Sequence, residues 1–223
     1  MKKIVLITGA SKGIGKALAQ KMLSKSYFVI GTSRSQNFDF KHKNFFPLAL
    51  DLSNSRSITN AHQDIFTKFD KINILINNAG IGPYLDTLNP KRDFLNATFD
   101  VNVSGTVFFT EPLIKLIPEN GMVLNISSKM GSVEVCEKTD AVAYRMSKSP
   151  LNMYTKILSN RLEKKIRVAS IHPGWVKTNI TESSLENARL SPEQSAQNIY
   201  NFLKSDFKNG TFWDSERGIM LHW

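Results

Sequence analysis

The chain has 223 residues, one cysteine and a formal charge of +10, from 29 lysines and arginines against 19 acidic residues. Such a length fits one large α/β domain with a sizeable core, and no apolar run approaches the roughly 20 residues that cross a bilayer, which predicts no membrane partner. Cys136 has no second cysteine to pair with, which predicts a cytoplasmic protein in a reducing compartment.

In chain order, IVLIT (4–8) reads as a buried strand, not a secretory leader, because the run is short and ends in a glycine-rich turn. A helix follows over 14–25, then strands at YFVIGT (27–32) and FFPLAL (45–50). Ile58, Ala61, Ile65, Phe66 and Phe69 recur at helical spacing and predict a helix over 54–69. INILIN (72–77) reads as the fourth strand, 100–117 as a helix, MVLNIS (122–127) as the fifth strand and 141–163 as another helix. RVASIHP (167–173) opens with a sixth strand, Ser191, Pro192 and Glu193 start a helix over 191–205, and GIML (218–221) reads as a last short strand. Alternating strands and helices, with strands apolar throughout, predict a Rossmann-type doubly wound parallel sheet of about seven strands with helices on both faces. No linker, repeat or low-complexity segment interrupts 1–223, so a single domain is expected.

The basic residues are scattered: Lys12, Lys16, Lys21 and Lys25, then Lys41 and Lys43, then Lys164, Lys165 and Arg167. No long basic run or arginine–aromatic interleaving appears, which argues for a solvated surface and against a nucleic-acid partner. The excess charge suits attraction of a multiply phosphorylated small molecule.

Chemistry concentrates at the ends of the predicted strands. Thr8-Gly9-Ala10-Ser11-Lys12-Gly13-Ile14-Gly15 joins the first strand to the first helix. Glycines there let the backbone turn and approach a pyrophosphate, and the helix N-terminus supplies free N–H groups. The spacing differs from the general G-x-G-x-x-G fingerprint. Asn77-Asn78-Ala79-Gly80, Asp51-Leu52, Ser127-Ser128 and His172-Pro173-Gly174 fall on the same carboxyl rim of the sheet, where ligands bind in open parallel sheets. Tyr144 and Lys148 lie four residues apart, which stacks them on one helix face. An ammonium beside the phenol is expected to lower its pKa toward a useful range.

In this order the segments TGASKGIG, DL, NNAG, DVNVSG, NISS, YRMSK and HPGWVKT resemble the short-chain dehydrogenases/reductases of the single-domain branch. The compact length, PGWVKT and the Gly210 to Trp223 region are similar to the Sniffer and C-factor-like carbonyl reductases within it. The resemblance implies a catalytic set of Asn102, Ser128, Tyr144 and Lys148. Tyr144 would exchange the proton with the carbonyl oxygen, Ser128 would stabilise that oxygen, and Lys148 would favour the tyrosinate and hold the nicotinamide ribose. Asn102 would hold a helix distortion and a water linking Lys148 to solvent. Cofactor contacts would come from Gly9, Ser11, Lys12, Gly13, Ile14, Gly15, Ser33, Arg34, Asp51, Leu52, Asn77, Asn78, Ala79, Gly80, Tyr144, Lys148, Pro173, Gly174, Val176 and Thr178. Asn77 would anchor the adenosine side, Asp51 would cap the adenine edge, and no metal is implied.

Ser128 lies sixteen residues before Tyr144, a few more than the family's usual spacing, with Ser127 and Ser132 as lesser candidates. The extra residues are expected to reshape the loop beside the substrate. Relatives specific for NAD carry an acidic residue after the second strand, where this chain has Gly31-Thr32-Ser33-Arg34. A guanidinium and a hydroxyl suit a 2′-phosphate, with Lys12 as a second cation. NADP(H) is therefore favoured, with NAD(H) possible. Residues 179–190 leave room only for a short, polar lid, which predicts an open site for small or moderately sized carbonyl or alcohol substrates. Pro83, Tyr84, Val133, Val135 and Trp175 are expected pocket walls. The leading function is an NADPH-dependent oxidoreductase. The alternative is a non-catalytic dinucleotide-binding redox sensor on the same fold. The resemblance also implies a homodimer or homotetramer that pairs helices 101–117 and 143–163.

Overall fold

Alternation along the strands sends apolar side chains to two separate cores. In strand β1 (Ile4–Ile7), Val5 and Ile7 join one cluster while Leu6 joins the other. Strands β2 (Phe28–Ser33), β4 (Ile74–Asn77), β5 (Met122–Ile126) and β6 (Arg167–His172) are also nearly free of solvent along most of their length, as strands covered on both faces must be, whereas β3 (Phe45–Ala49), at the edge, buries only Leu48. The computed structural model describes all residues except Met1, Tyr84, Asp86, Thr87 and Lys164.

Two further strands, β7 (Thr211–Asp214) and β8 (Ile219–Met220), complete one eight-stranded sheet in the order β3-β2-β1-β4-β5-β6-β7-β8. All neighbours pair in parallel except β7 with β8. The expected count of about seven strands missed β7, and the strand foreseen near 218–221 is the antiparallel edge. Because β2 and β3 lie to one side of β1 and β4 begins the other side, the order in which strands are added reverses between β1 and β4. The carboxyl ends there open the crevice in which doubly wound folds bind ligands.

Helices α1 (Gly13–Ser24) and α7 (Pro192–Lys204) cover one face through Leu18, Met22, Ile199 and Phe202. Helices α2 (Ser55–Lys68), α4 (Thr106–Thr110) and α5 (Val142–Arg161) cover the other through Ile65, Phe109, Leu151 and Leu158. Each such side chain contributes roughly 1.5–3 kcal/mol by burial. Asn54 caps α2 by accepting from the Ser57 N–H at 3.0 Å. Ser191 and Gln194 form a reciprocal capping box at α7, with Pro192 and Glu193 in its first turn as foreseen.

The helix expected over 100–117 is a broken sequence of turns. Helix α3 (Arg92–Phe99) begins earlier, a π-helical turn occupies Asp100–Gly105, α4 follows, and a 3₁₀ turn closes Glu111–Leu116. A short α6 (Glu182–Asn187) stands in the predicted lid segment, capped by Thr181, whose hydroxyl accepts from the Ser184 N–H at 2.9 Å.

Candidate active site

The β1–α1 turn has the shape of a phosphate cradle. Gly9 holds φ at +67°, where a side chain is strained. A Cβ on Gly15 would run into the Gly9 carbonyl and the Asn78 amide, so the first turn of α1 packs directly on the loop. Lys12 caps α1 without a side-chain hydrogen bond, which leaves first-turn N–H groups available to an anion. Asn78 locks the loop: its side-chain amide donates to the Thr8 and Gly9 carbonyls at 2.9 and 3.2 Å. The Asn78 and Ala79 N–H groups both donate to the Thr8 hydroxyl, at 3.0 and 2.9 Å.

The second-strand edge carries cations. Arg34 is exposed, and Ser33 beside it is buried with a hydroxyl that has no partner among the described residues. Asp51, on the same rim, is held below the usual carboxylate range, chiefly by the Ser53 hydroxyl at 2.7 Å and also by the nearby Arg34 charge. The side chains of Leu52 and Asn77 turn inward from this rim. The Leu52 side chain is buried in the core beneath α2. The Asn77 side chain points into the protein, donating to Thr110 and to Asn125 at 2.8 Å each. Asn125 continues to Thr155 at 2.8 Å, and Thr155 meets Ser170 at 2.8 Å. Asn77 therefore belongs to a buried polar ladder tying the helices to the sheet, which turns its side chain away from the adenosine side expected for it.

Tyr144, Ser128 and Lys148 converge on one cavity of roughly 360 Å³. Ser128 lies two residues beyond β5 and caps the turn that follows, its hydroxyl hydrogen-bonding Tyr144 and accepting from the Met130 N–H at 3.2 Å. Lys148 is 4% exposed, with its ammonium 5.4 Å from the Tyr144 ring centre and donating to the Ile126 carbonyl at 2.9 Å. The expected lowering of the tyrosine pKa by the lysine is overturned. Burial is the largest influence and pushes Tyr144 up to about 12, against which the Ser128 hydrogen bond acts. Burial likewise pulls Lys148 down to about 8. In both cases the neutral form is the one that a desolvated site favours.

Asn102 sits in the π-helical turn, but does not line the cavity. Its amide exchanges two hydrogen bonds with the Ile81 backbone, each 2.8 Å, and donates to Ser147 at 3.0 Å. Ser147 in turn donates to the Tyr144 carbonyl at 2.8 Å. Asn102 thus fastens the segment after β4 to the helix that carries Tyr144 and Lys148. Of the lesser serines, Ser127 donates weakly to the Lys148 carbonyl at 3.5 Å, and Ser132 lies further along the loop.

The cavity runs from Ile14, Asn78 and Gly80 past Pro173, Gly174, Val176 and Thr178, all expected cofactor contacts. Trp175 lines it as expected. Val133 and Val135 are exposed away from it, Pro83 borders a separate small cleft, and Tyr84 lies outside the described residues. Met130, Ile180 and Leu85 were missed as walls. Their only sequence signal was an apolar residue within a polar loop. His172 also lines the cavity, and burial pulls it down to about 4, so the imidazole is neutral near pH 7. No group of three or more His, Cys, Asp or Glu among the described residues could hold a metal ion.

A doubly wound sheet with a glycine cradle and a tyrosine–lysine–serine cluster at its carboxyl rim defines a dinucleotide-dependent oxidoreductase. The short chain dehydrogenase family model matches residues 3–189, and the chain belongs to that family. It is 32% identical over 199 residues to a 3-oxoacyl-[acyl-carrier-protein] reductase FabG of Buchnera aphidicola subsp. Baizongia pistaciae, covering 85% of this chain and 80% of that protein. Among solved structures, it resembles the carbonyl reductase Sniffer of D. melanogaster, with 28% identity, a TM-score of 0.84 and full coverage of both chains. An NADPH-bound carbonyl reductase from chicken fatty liver shares 25% identity with a TM-score of 0.88, over 100% of this chain and 94% of that one.

Proposed function

We propose that this chain transfers hydride between NADPH and a carbonyl or alcohol substrate, with Tyr144 as the proton-transfer group. The observation that carries this reading is the convergence of Tyr144, Ser128 and Lys148 on a cavity continuous with the residues beside the glycine cradle. The cradle fits a pyrophosphate, because it has no room for a Cβ at Gly15 and an uncapped helix start. The Ser33 hydroxyl, without a partner among the described residues, lies beside Arg34 with no carboxylate between 31 and 34, which fits a 2′-phosphate. Lys12 adds charge from the cradle. NADH is the second choice.

When bound, the reduced nicotinamide supplies the hydride. The protein supplies position and the proton. Tyr144, protonated throughout the neutral range, is set to donate to the carbonyl oxygen as negative charge grows there. The Ser128 hydroxyl stabilises the same oxygen. Lys148, still charged below about pH 8, holds a positive field near the phenol and would hold the nicotinamide ribose of a bound cofactor. Asn102 positions rather than reacts, since the Ile81 backbone and Ser147 occupy its amide. The short α6 over the cavity leaves it open enough for small or moderately sized carbonyl compounds.

The protein acts in the cytoplasm as a homo-oligomer in this reading. Its Cys136 is exposed and unpaired, and an apolar stripe lies on the outer face of α5. The test is a panel of aldehydes, ketones and quinones assayed with NADPH and NADH on the wild type and Tyr144→Phe. The wild type is expected to oxidise NADPH with at least one class and to prefer it over NADH. Tyr144→Phe is expected to bind NADPH as the wild type does, while turnover falls about 10²-fold or more. Equal turnover by that variant would sink the mechanism.

A further inference from the structure

The extra residues between Ser128 and Tyr144 are pinned at two points. The near end is a 3₁₀ turn at Lys129–Gly131, whose Lys129 and Met130 line the cavity. Gly131 lies against the backbone of Lys148 with no room for a Cβ, and its carbonyl accepts from Ser149 at 3.0 Å and Asn152 at 3.2 Å. The far end is held by residues 221–223. The Trp223 carbonyl accepts from the Val133 and Glu134 N–H groups at 3.2 and 3.3 Å and from the Ser132 hydroxyl at 3.2 Å. Glu134 lies 3.3 Å from the His222 ring nitrogen.

The strap has its own anchor. The Trp223 ring stacks on Phe212 of β7 at 5.4 Å and 23°. Phe212 is fully buried, and its carbonyl accepts from the Leu221 N–H at 2.8 Å. Three acceptances at one carbonyl, held by an aromatic pair, fix a loop that otherwise faces solvent at Val133 and Val135. None of these groups reaches the cradle side of the cavity.

We infer that Trp223 is a positioning residue that sets selectivity for the carbonyl substrate, by strapping the 132–134 segment so that Lys129 and Met130 keep one wall of the cavity in place. This rests on the carbonyl-reductase reading for its kinetic consequence only. Loosening the strap lets Lys129 and Met130 swing away from bound substrate, so the contacts they make with a bulky carbonyl are lost, and leaves the glycine cradle as it was.

Two measurements test it on the full chain. In Trp223→Ala, hydrogen exchange of the Val133 and Glu134 amides is expected to accelerate while β1 and β4 amides keep their protection. The KM for a bulky carbonyl from the panel should rise about tenfold with a much smaller change in kcat, and NADPH affinity should stay within about twofold of the wild type. Trp223→Phe, which keeps a ring over Phe212, should restore both readouts. Unchanged exchange at Val133 and Glu134, or an equal loss of NADPH and carbonyl binding, overturns the proposal. If Trp223→Ala does not fold, Ser132→Ala takes its place with the same exchange readout, and the same null result overturns it. A wild type that reduces no carbonyl would end the carbonyl-reductase reading, and the exchange measurement would still decide the strap.

Discussion

Burial moves Tyr144 and Lys148 in opposite directions, to about 12 and about 8, and the consequences differ for activity and stability. For Lys148 the folded pKa lies below the ordinary lysine value of 10.5. Between pH 10.5 and 8 the unfolded chain therefore binds a proton that the folded chain does not, so stability falls as pH drops through that window and stays reduced below it. Lys148→Met is expected to raise the unfolding free energy at pH 7 by about 1–3 kcal/mol, because the buried charge is removed. Activity should move the other way. Carbonyl reduction by the wild type is expected to decline above about pH 8 as Lys148 loses its proton, and the slower variant should lack that limb. Urea titration and a pH profile of kcat/KM check the two halves. A variant both less stable and unchanged in its profile would show that the ammonium is neither costly nor used.

Among the elements, the π-helical turn at Asp100–Gly105 links two parts of the site that are distant in sequence. It presents Asn102 to the Ile81 backbone, and it ends at Gly105, whose Cα packs against the Leu52 carbonyl. Leu52 follows Asp51, which stands on the rim near Arg34. Gly105→Ala is therefore expected to push the β3–α2 connection outward, costing about 1–3 kcal/mol of stability by overpacking. It should also weaken NADPH binding by several-fold through Asp51. Calorimetry with and without NADPH measures both. Sequence periodicity found a helix near this turn but could not reveal its breaks, since α, π and 3₁₀ turns share nearly the same apolar spacing. The strand β7 escaped because Thr-Phe-Trp-Asp is four residues long and follows a turn without an alternating run. Asn77 and Asn78 were read alike as rim residues, yet strand alternation turns one into the core and the other to the cradle. That choice depends on a register the local sequence does not carry. Gly9, Tyr144 and Lys148 stand out in the sequence because a turn glycine and an i, i+4 pair are set by short-range spacing, whereas Asn78 and Ser128 follow only from the family resemblance of NNAG and NISS. Met130, Ile180 and Leu85 were not legible, because contacts between distant loops decide which apolar side chain faces the cavity.

At the scale of the whole molecule, α5 serves two surfaces. One carries Tyr144 and Lys148 toward the cavity, and the other exposes Met146, Met153 and Ile157 at 48, 61 and 51%. These residues, with Pro150, recur at helical spacing and form a continuous apolar stripe. Phe108 of α4 adds a side chain 68% exposed. The adjoining Glu111 fastens this region to α5 by accepting from Tyr154 at 2.9 Å and from Arg161 through two contacts of 2.8 Å. Such a stripe on an otherwise strongly charged chain is costly in water unless another surface covers it. A second copy presenting the same stripe across a two-fold axis is self-complementary, and agrees with the proposed homo-oligomer. The double variant Met153→Glu, Ile157→Glu places like charges on both sides of that axis. It is expected to sediment as a monomer at concentrations where the wild type sediments as a dimer or tetramer, with NADPH affinity retained because the cradle lies on α1. Analytical ultracentrifugation across a dilution series checks the assembly, and a fluorescence titration with NADPH checks the cradle. A wild type that sediments as a monomer throughout would refute the pairing. A variant that dissociates and also loses NADPH affinity would instead place α5's outer face in support of the site, through the helix that carries Lys148.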